Sequence, residues 1–391
     1  VAGEAAAIAD VLASGAIVGG GALTRRAHAL LETMMGSGKA LLTASGTSAL
    51  EMACLLLDLK HGDEVIVPSF TFSSCANAVA LRGAVPVFVD VRADTLNLDE
   101  DLIEDAMTPR TRAIMPVHYA GVSAEMSAIM EVAGRRGLAV IEDAAQGINS
   151  RYRGAPLGSL GTLAAFSFHG SKNISCGEGG ALIINDPELA ERAEILWEKG
   201  TNRSSFIRGD VDKYTWIDIG SSFLPSEITA ALLVCQLEQS QAITDQRRAA
   251  WHRYHDGLAE MEAEGLLRRP HVPQDCDANG HIYGILMPSA DARNAALAAL
   301  KELGVSATFH YVPLHSAPAG QRLGRAHGAL RVTDDVSGRL LRLPLYADIQ
   351  PVEQDYVVAC LQTVCRAVRS LECWKPPLSK SLSQLRRGSN A

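Results

Sequence analysis

Lys172 stands in FSFHGSKN (166–173), just past an apolar run and in a stretch of small polar residues. An ordinary lysine, with a pKa near ~10.4, is protonated at neutral pH and nucleophilic only when desolvated or held in a Schiff base. Taken alone, it reads first as a surface lysine snorkelling to solvent. Upstream, VIEDAAQG (140–147) closes a second apolar run with Glu142 and Asp143. An acid there can cap a helix, bind a metal or face a cationic atom of a ligand. The turn SGTSAL (45–50) offers amides and hydroxyls that suit a phosphate at a helix N-terminus, or an ordinary Ser/Thr cap. Together the three features supply an amine for an aldehyde, an acid for a pyridine nitrogen and a phosphate cup. Those are the needs of pyridoxal phosphate. A carboxylate about 4 Å from a pyridinium contributes on the order of 4 kcal/mol at an effective dielectric near 20, enough to keep the ring protonated.

Positioning such groups requires strands that end at one edge. ALLTA (40–44), EVIVP (64–68), PVFVD (86–90), RAIMPV (112–117), LAVIED (138–143), TLAAFSF (162–168) and GALIIN (180–185) read as strands. Helical spacing lies between the earlier ones, as in SALEMACLLLDL (48–59) and AEMSAIMEVAGRRG (124–137). The alternation predicts an α/β fold with a mostly parallel central sheet covered on both faces, and ligands at the carboxyl ends of its strands. Residues 1–240 are expected to form this large domain and 241–391 a smaller α+β domain ending in the polar tail KSLSQLRRGSNA. SEITAALLVCQLEQ, HIYGILMP, ARNAALAALKELG and VEQDYVVACLQTVCRAV supply the later helices and strand.

Composition narrows the function. A net charge of −8 with no basic tract argues against nucleic acid as a partner. Apolar runs are too short to span a bilayer, and no signal peptide is read at the start, which is Val rather than Met. Eight scattered cysteines without a CxxC pair suit reduced thiols, so a cytoplasmic location is expected. GSGKA (36–40) lacks parts of a phosphate-binding P-loop, and no GxGxxG follows a strand. His310 and His315 have no third ligand at a recognisable spacing, so no metal is expected.

The ordered motifs GDEVIVPSFTF, FVDVRADTLNLD, PVHYAGV, VIEDAAQG, FSFHGSKN, GEGGALIIND and HYVPLH, spread over about residues 12–368, resemble the sugar-nucleotide aminotransferases of the DegT/StrS type. The resemblance implies the aspartate-aminotransferase-like (type I) fold of pyridoxal-phosphate enzymes. Within the family, EKGTNRSSFIRGDVDKYTWIDIGSSF (198–223) is similar to C4 transaminases that act on dTDP-4-keto-6-deoxyglucose. By that likeness Lys172 holds the cofactor and shuttles the proton, and Asp143 pairs with the pyridine nitrogen. Gln146 lies near the ring hydroxyl, Phe72 stacks on the ring, and Thr47, Ser48 and Ser167 bind phosphate. Many members have GYNYR where this chain has Gly220-Ser221-Ser222-Phe223-Leu224, so Ser222 aligns with an Asn that reaches the neighbouring subunit's cofactor phosphate.

The same resemblance implies a homodimer and L-glutamate/2-oxoglutarate as the donor pair. Lys199, Arg203 and Arg208 are expected at the nucleotide diphosphate, and His310, Tyr311 and His315 on the sugar side. A 3-keto hexose or 4-keto pentose nucleotide is the alternative substrate. A regulatory, non-enzymatic member is the alternative class, against which the Lys172–Asp143 pair argues.

Overall fold

The computed structural model describes residues 1–36 and 38–373; the expected polar tail lies outside the described residues. Ten of the thirteen strands among the described residues matter here: β1 (Lys39–Thr43), β2 (Glu64–Pro68), β3 (Val85–Val89), β4 (Thr111–Ile114), β5 (Ala139–Asp143), β6 (Leu163–Ser167), β7 (Gly180–Ile184), β8 (Tyr283–Leu286), β9 (Arg325–Ala326) and β10 (Leu340–Leu343). Eight of them form one sheet in the order β1-β7-β6-β5-β4-β2-β3-β9. Only β7 is antiparallel to its neighbours. The mostly parallel α/β sheet predicted from the alternating pattern is therefore present.

Burial explains why the strands read as continuous apolar runs. Leu41, Val65, Val67, Ile141, Ala165 and Leu182 face a core shared with the helices Gly46–Leu56 and Ser74–Ala80. Their neighbours Ala40, Leu42, Ala164, Phe166, Ala181 and Ile183 face the opposite core, which Ala22–Met35 and Glu227–Glu238 cover. With both faces dry, the strand interiors read as continuous apolar runs, and their polar residues stand at or near the ends. A separate core lies toward the C-terminus, where the antiparallel pair β8–β10 packs with Ser240–Gly257, Ala290–Glu302 and Pro351–Cys373.

Long-range carboxylates lock these layers. Glu227, buried, accepts the amides of Gly21 (3.0 Å), Leu23 (2.8 Å) and Thr24 (3.1 Å), and so caps the helix that starts at Ala22. Glu64 accepts Arg110 (2.7 Å), Arg325 (2.8 Å) and Thr108 (2.8 Å), fastening β9 to the sheet. Burial alone would push its carboxyl up; the bonds from Arg325, Arg110 and Thr108 outweigh this and bring it down to about 2. Asp90 caps the helix Arg331–Arg339 through the amides of Val332 (3.0 Å) and Thr333 (2.8 Å). None of these partners is near in sequence, which is why the N-terminal helices and the 325–343 segment were not legible.

Glu142 is the anchor nearest the sheet's ligand-binding edge. It accepts the amides of Gly158 (2.9 Å), Leu160 (2.8 Å) and Gly161 (2.6 Å), and His118 Nε2 lies 2.9 Å away. Burial raises its carboxyl, but His118 and the amides dominate, so it titrates below its ordinary 4.5. A depressed carboxyl stabilises the fold above the unfolded value and loses that contribution as pH falls through the folded one. Glu142→Gln is therefore expected to cost about 2–4 kcal/mol at neutral pH. That difference from the parent should shrink as pH drops below 4.5 in denaturant melts. A constant difference between pH 7 and acid would refute the charged role.

Candidate active site

The sheet brings the carboxyl ends of β1, β5 and β6 together. Thr43 and Ser167 both register against Gly180 of β7, and Asp143 against Ala165 of β6. At β1 the chain turns through Ser45 into the helix Gly46–Leu56, and Ser45 Oγ accepts the Ser48 amide at 3.0 Å. Two glycines permit this turn to lie against the sheet. A Cβ on Gly46 would come within 2.8 Å of Ser167 Cβ, and one on Gly180 within 2.4 Å of the Ser45 carbonyl carbon. The helix N-terminus thus sits directly over the end of β6, with the hydroxyls of Thr47, Ser74 and Ser167 beside it; Thr47 Oγ1 and Ser74 Oγ are 2.7 Å apart.

These groups line one end of a cavity of about 560 Å³. At its floor, Asp143 ends β5 in a buried position. Cys75 donates its thiol to Asp143 Oδ2 (2.9 Å) and the Ala145 amide donates to Oδ1 (3.0 Å), so the carboxylate is held from both sides. Burial and the facing carboxylate push the Cys75 thiol well above its usual range, and it remains a donor.

Lys172 follows β6 in a tight turn, its amide bonded to the His169 carbonyl at 2.8 Å. The side chain is half-buried and lines the cavity. Among the described residues no acceptor or carboxylate bonds its Nζ. Burial pulls the ammonium below the ordinary lysine range; Asp143 opposes this and Arg342 adds to it. Phe72, 60% exposed, stands at the mouth with its ring centroid 6.5 Å from that of Tyr311. A free amine, a braced carboxylate and a hydroxyl-rich helix N-terminus around one cavity match the aldehyde, ring nitrogen and phosphate of pyridoxal phosphate.

The opposite wall is built by Gln146, Tyr311, His310, His281 and Arg342. Gln146 donates to Tyr311 Oη (3.1 Å) and accepts the Ala120 amide (2.7 Å). His310 stacks on Tyr311 with centroids 4.1 Å apart, and its pKa falls to about 3 through burial and the nearby Arg342 and Lys172. Arg342, Cys75 and His281 were missed in the sequence. The one signal for Arg342 was a cation inside the apolar run LLRLPL (340–345), the same contrast that marks Lys172.

Six expected site residues are not cavity-lining in this chain. Ser48 is occupied within the helix cap, its Oγ 3.0 Å from that of Ser45. His315 clasps Ser69 (2.8 Å to Oγ), tying the 309–317 loop to the end of β2. Ser222 is exposed and bridges Glu198. Lys199 (3.7 Å) and Arg203 (2.8 Å) pair with Glu198, and Arg208 pairs with Glu194 (2.7 Å) and Asp210 (3.0 Å). In the single chain the cations expected at a diphosphate thus pair with nearby carboxylates. Among the described residues no group of His, Cys, Asp or Glu is arranged to hold a metal, and no helix is long and apolar enough to cross a membrane.

Comparison with known proteins agrees with this architecture. DesV from S. venezuelae is 34% identical, with a TM-score of 0.84 over 93% of this chain and 94% of its own. NtdA from Bacillus subtilis, solved with bound cofactor PMP, is 30% identical, with a TM-score of 0.84 over 94% of this chain and 83% of its own. PseC from Helicobacter pylori, an aminotransferase involved in the biosynthesis of pseudoaminic acid, is 25% identical, with a TM-score of 0.85 over 93% of this chain and 96% of its own. The model of the DegT/DnrJ/EryC1/StrS aminotransferase family matches residues 2–362. The expected fold class, cofactor and reaction class all hold: the chain belongs to the DegT/DnrJ/EryC1/StrS aminotransferase family and is a pyridoxal-phosphate-dependent transaminase of the sugar-aminotransferase kind.

Proposed function

We propose that the chain transfers the amino group of L-glutamate to C4 of a nucleotide-linked keto sugar, dTDP-4-keto-6-deoxyglucose, giving a dTDP-4-amino-4,6-dideoxyhexose and 2-oxoglutarate. The observation that carries the reaction is the unpartnered amine of Lys172 facing the same cavity as the doubly braced Asp143. The likeness of residues 198–223 to the C4-transaminase signature supports the choice of sugar.

When bound, pyridoxal phosphate supplies an electron sink that lets a proton leave the carbon bearing nitrogen. Lys172 would bond the cofactor aldehyde. When not so engaged, its Nζ would take a proton from the donor carbon and return one to the sugar carbon. Its lowered pKa favours the neutral amine this requires. Asp143 would keep the ring nitrogen protonated, Gln146 would serve the ring hydroxyl, Phe72 would stack on the ring, and Thr47 and Ser167 would hold the phosphate with the helix amides. His310 and Tyr311 line the sugar side.

A homodimer completes the site in this reading. The 198–223 segment carries Trp216, Ile207 and Tyr214 at 77%, 66% and 55% exposure, an apolar display that a second copy would cover. Ser222 and the cations Lys199, Arg203 and Arg208 would then serve the partner's cavity.

Lys172→Ala is expected to lower turnover by at least about a thousandfold, since one side chain is both cofactor ligand and proton carrier. Circular dichroism should be unchanged, because no contact holds Nζ in place; turnover within about tenfold of the parent would sink the assignment. For the substrate, kcat/KM for dTDP-4-keto-6-deoxyglucose should far exceed that for 2-keto acids other than 2-oxoglutarate, and NMR of the product should place nitrogen on C4. Preference for a 3-keto hexose or 4-keto pentose nucleotide would overturn the sugar and keep the reaction. Sedimentation at assay concentration should show a dimer; a fully active monomer would contradict the shared site.

A further inference from the structure

A second hollow lies behind the active-site wall, and the two share no lining residue. It is a vestibule of about 500 Å³ that narrows into a pit of about 40 Å³. Leu96, Tyr119, Val122, Ile282, Leu286 and Leu340 line the pit, and Trp251 of the helix Ser240–Gly257 lines both parts. The pit is preformed. Asn97 accepts the Tyr119 amide (2.8 Å) and donates to the Val122 carbonyl (3.0 Å), clamping two of its walls. His255 stacks on Trp251 with centroids 4.7 Å apart and so fixes that ring. Leu96 and Ala120, which also line the pit, have φ of 62° and 60°, the left-handed region that side chains other than glycine rarely occupy. Such strain persists where the surroundings impose it, and it concentrates at ligand clamps and switches.

The rim is charged, and its acids are already taken. Asp94 pairs with Arg92 (2.8 Å), and Glu262 with Arg269 (2.7 Å). Arg268 is left over. Its backbone is tied to Leu286 of β8 in both directions (2.8 and 2.9 Å), and its Nη2 donates to the Ala93 carbonyl. Among the described residues Arg268 forms no ion pair with Asp or Glu, and no acceptor bonds its Nε or Nη1. An apolar, aromatic-walled pit beneath one unmatched cation fits a flat ring that carries a single acid: the guanidinium takes the carboxylate and the pit takes the ring. Residues of the pit's wall also touch the active site. The Tyr119 hydroxyl lies 3.3 Å from His310 Nδ1, and the Ala120 amide donates to Gln146 Oε1 (2.7 Å). His310 and Gln146 both line the active-site cavity.

We propose that the pit and its Arg268 rim bind a small aromatic carboxylate, and that this occupant is sensed in the active site through Tyr119. A ring packed behind Tyr119 fixes the wall that contacts His310 and Gln146. The active-site cavity then has less ordering to impose when its own ligand binds. The expected effect is a lower KM for the amino donor at unchanged kcat.

Calorimetry on the holoenzyme tests the site, with phenylacetate as the probe and phenylacetamide as its uncharged control. Phenylacetate should bind once per chain, with saturating L-glutamate and 2-oxoglutarate present. Its dissociation constant should rise by about tenfold or more in Arg268→Gln, and phenylacetamide should bind the parent as weakly. Arg268→Lys keeps the charge without the fork and should recover only part of the loss. In the donor half-reaction, read through the cofactor absorbance, saturating phenylacetate should lower KM for L-glutamate by at least about threefold. Tyr119→Phe keeps the ring and loses the hydroxyl, so it should bind phenylacetate as the parent does and lose the kinetic effect. No binding, or binding that Arg268→Gln leaves unchanged, would overturn the site. So would displacement of phenylacetate by glutamate, which places the probe in the active-site cavity. Binding with no change in KM, or an effect that survives Tyr119→Phe, would overturn the coupling. The coupling measurement rests on glutamate as the donor; if the parent turns over no glutamate, that reading fails, while the calorimetry still decides the site.

Discussion

Adjacent residues on a strand face opposite sides of its sheet, and the active site depends on that rule at one dipeptide. Glu142 and Asp143 are neighbours in β5, yet they do unrelated work. Glu142 turns to one side and gathers the 158–161 loop and His118; Asp143 turns to the other and faces the cavity. The loop that Glu142 fixes leads straight into β6, which carries Ser167 and, past its end, Lys172. One strand thus places the acid directly and the amine through the element it steadies. A one-residue slip of β5 would exchange the two faces and dismantle both.

Much of this was legible in the sequence because the chemistry sits at strand ends. Continuous apolar runs marked the strands, and Lys172 and Asp143 stood out as charges just where those runs stop. The turn at Ser45–Thr47 was legible as well, though its two candidate uses were not separable: Ser45 caps the helix and the turn also lines the cavity. The wall opposite was not. Arg342 belongs to a four-residue strand whose only regular pairing is with β8, nearly sixty residues earlier, and a short apolar stretch carries no period that distinguishes strand from helix. His310 and His315 are five residues apart in one motif yet separate in space, since His315 turns back to Ser69 while His310 meets Arg342.

The charge pattern divides the molecule in a way composition hides. The chain is acidic overall, with a net charge of −8, but the cavity carries Lys172 and Arg342 against a single deep carboxylate. Two of its histidines, His281 and His310, are kept neutral: His281, beside Lys172 and Arg247, is driven well below its ordinary pKa by burial and those cations. The site therefore attracts anions chiefly through Arg342, and His281 and His310 add nothing to that field near neutral pH.

The last strand of the sheet has a bearing on solubility. β9 is two residues long and arrives from far down the chain to lie along β3, where Arg325 is tied to Glu64 beneath it. Without it, β3 would present a row of unpaired backbone groups beside the buried Val87, Phe88 and Val89, a ready template for another chain to extend. Ending that edge with a minimal, charged strand leaves an incoming β-strand little to bind. The C-terminal half therefore serves as a cover against edge-to-edge aggregation of the large sheet, and a nascent chain that has not yet reached residue 325 must pass through a stage in which that edge is bare.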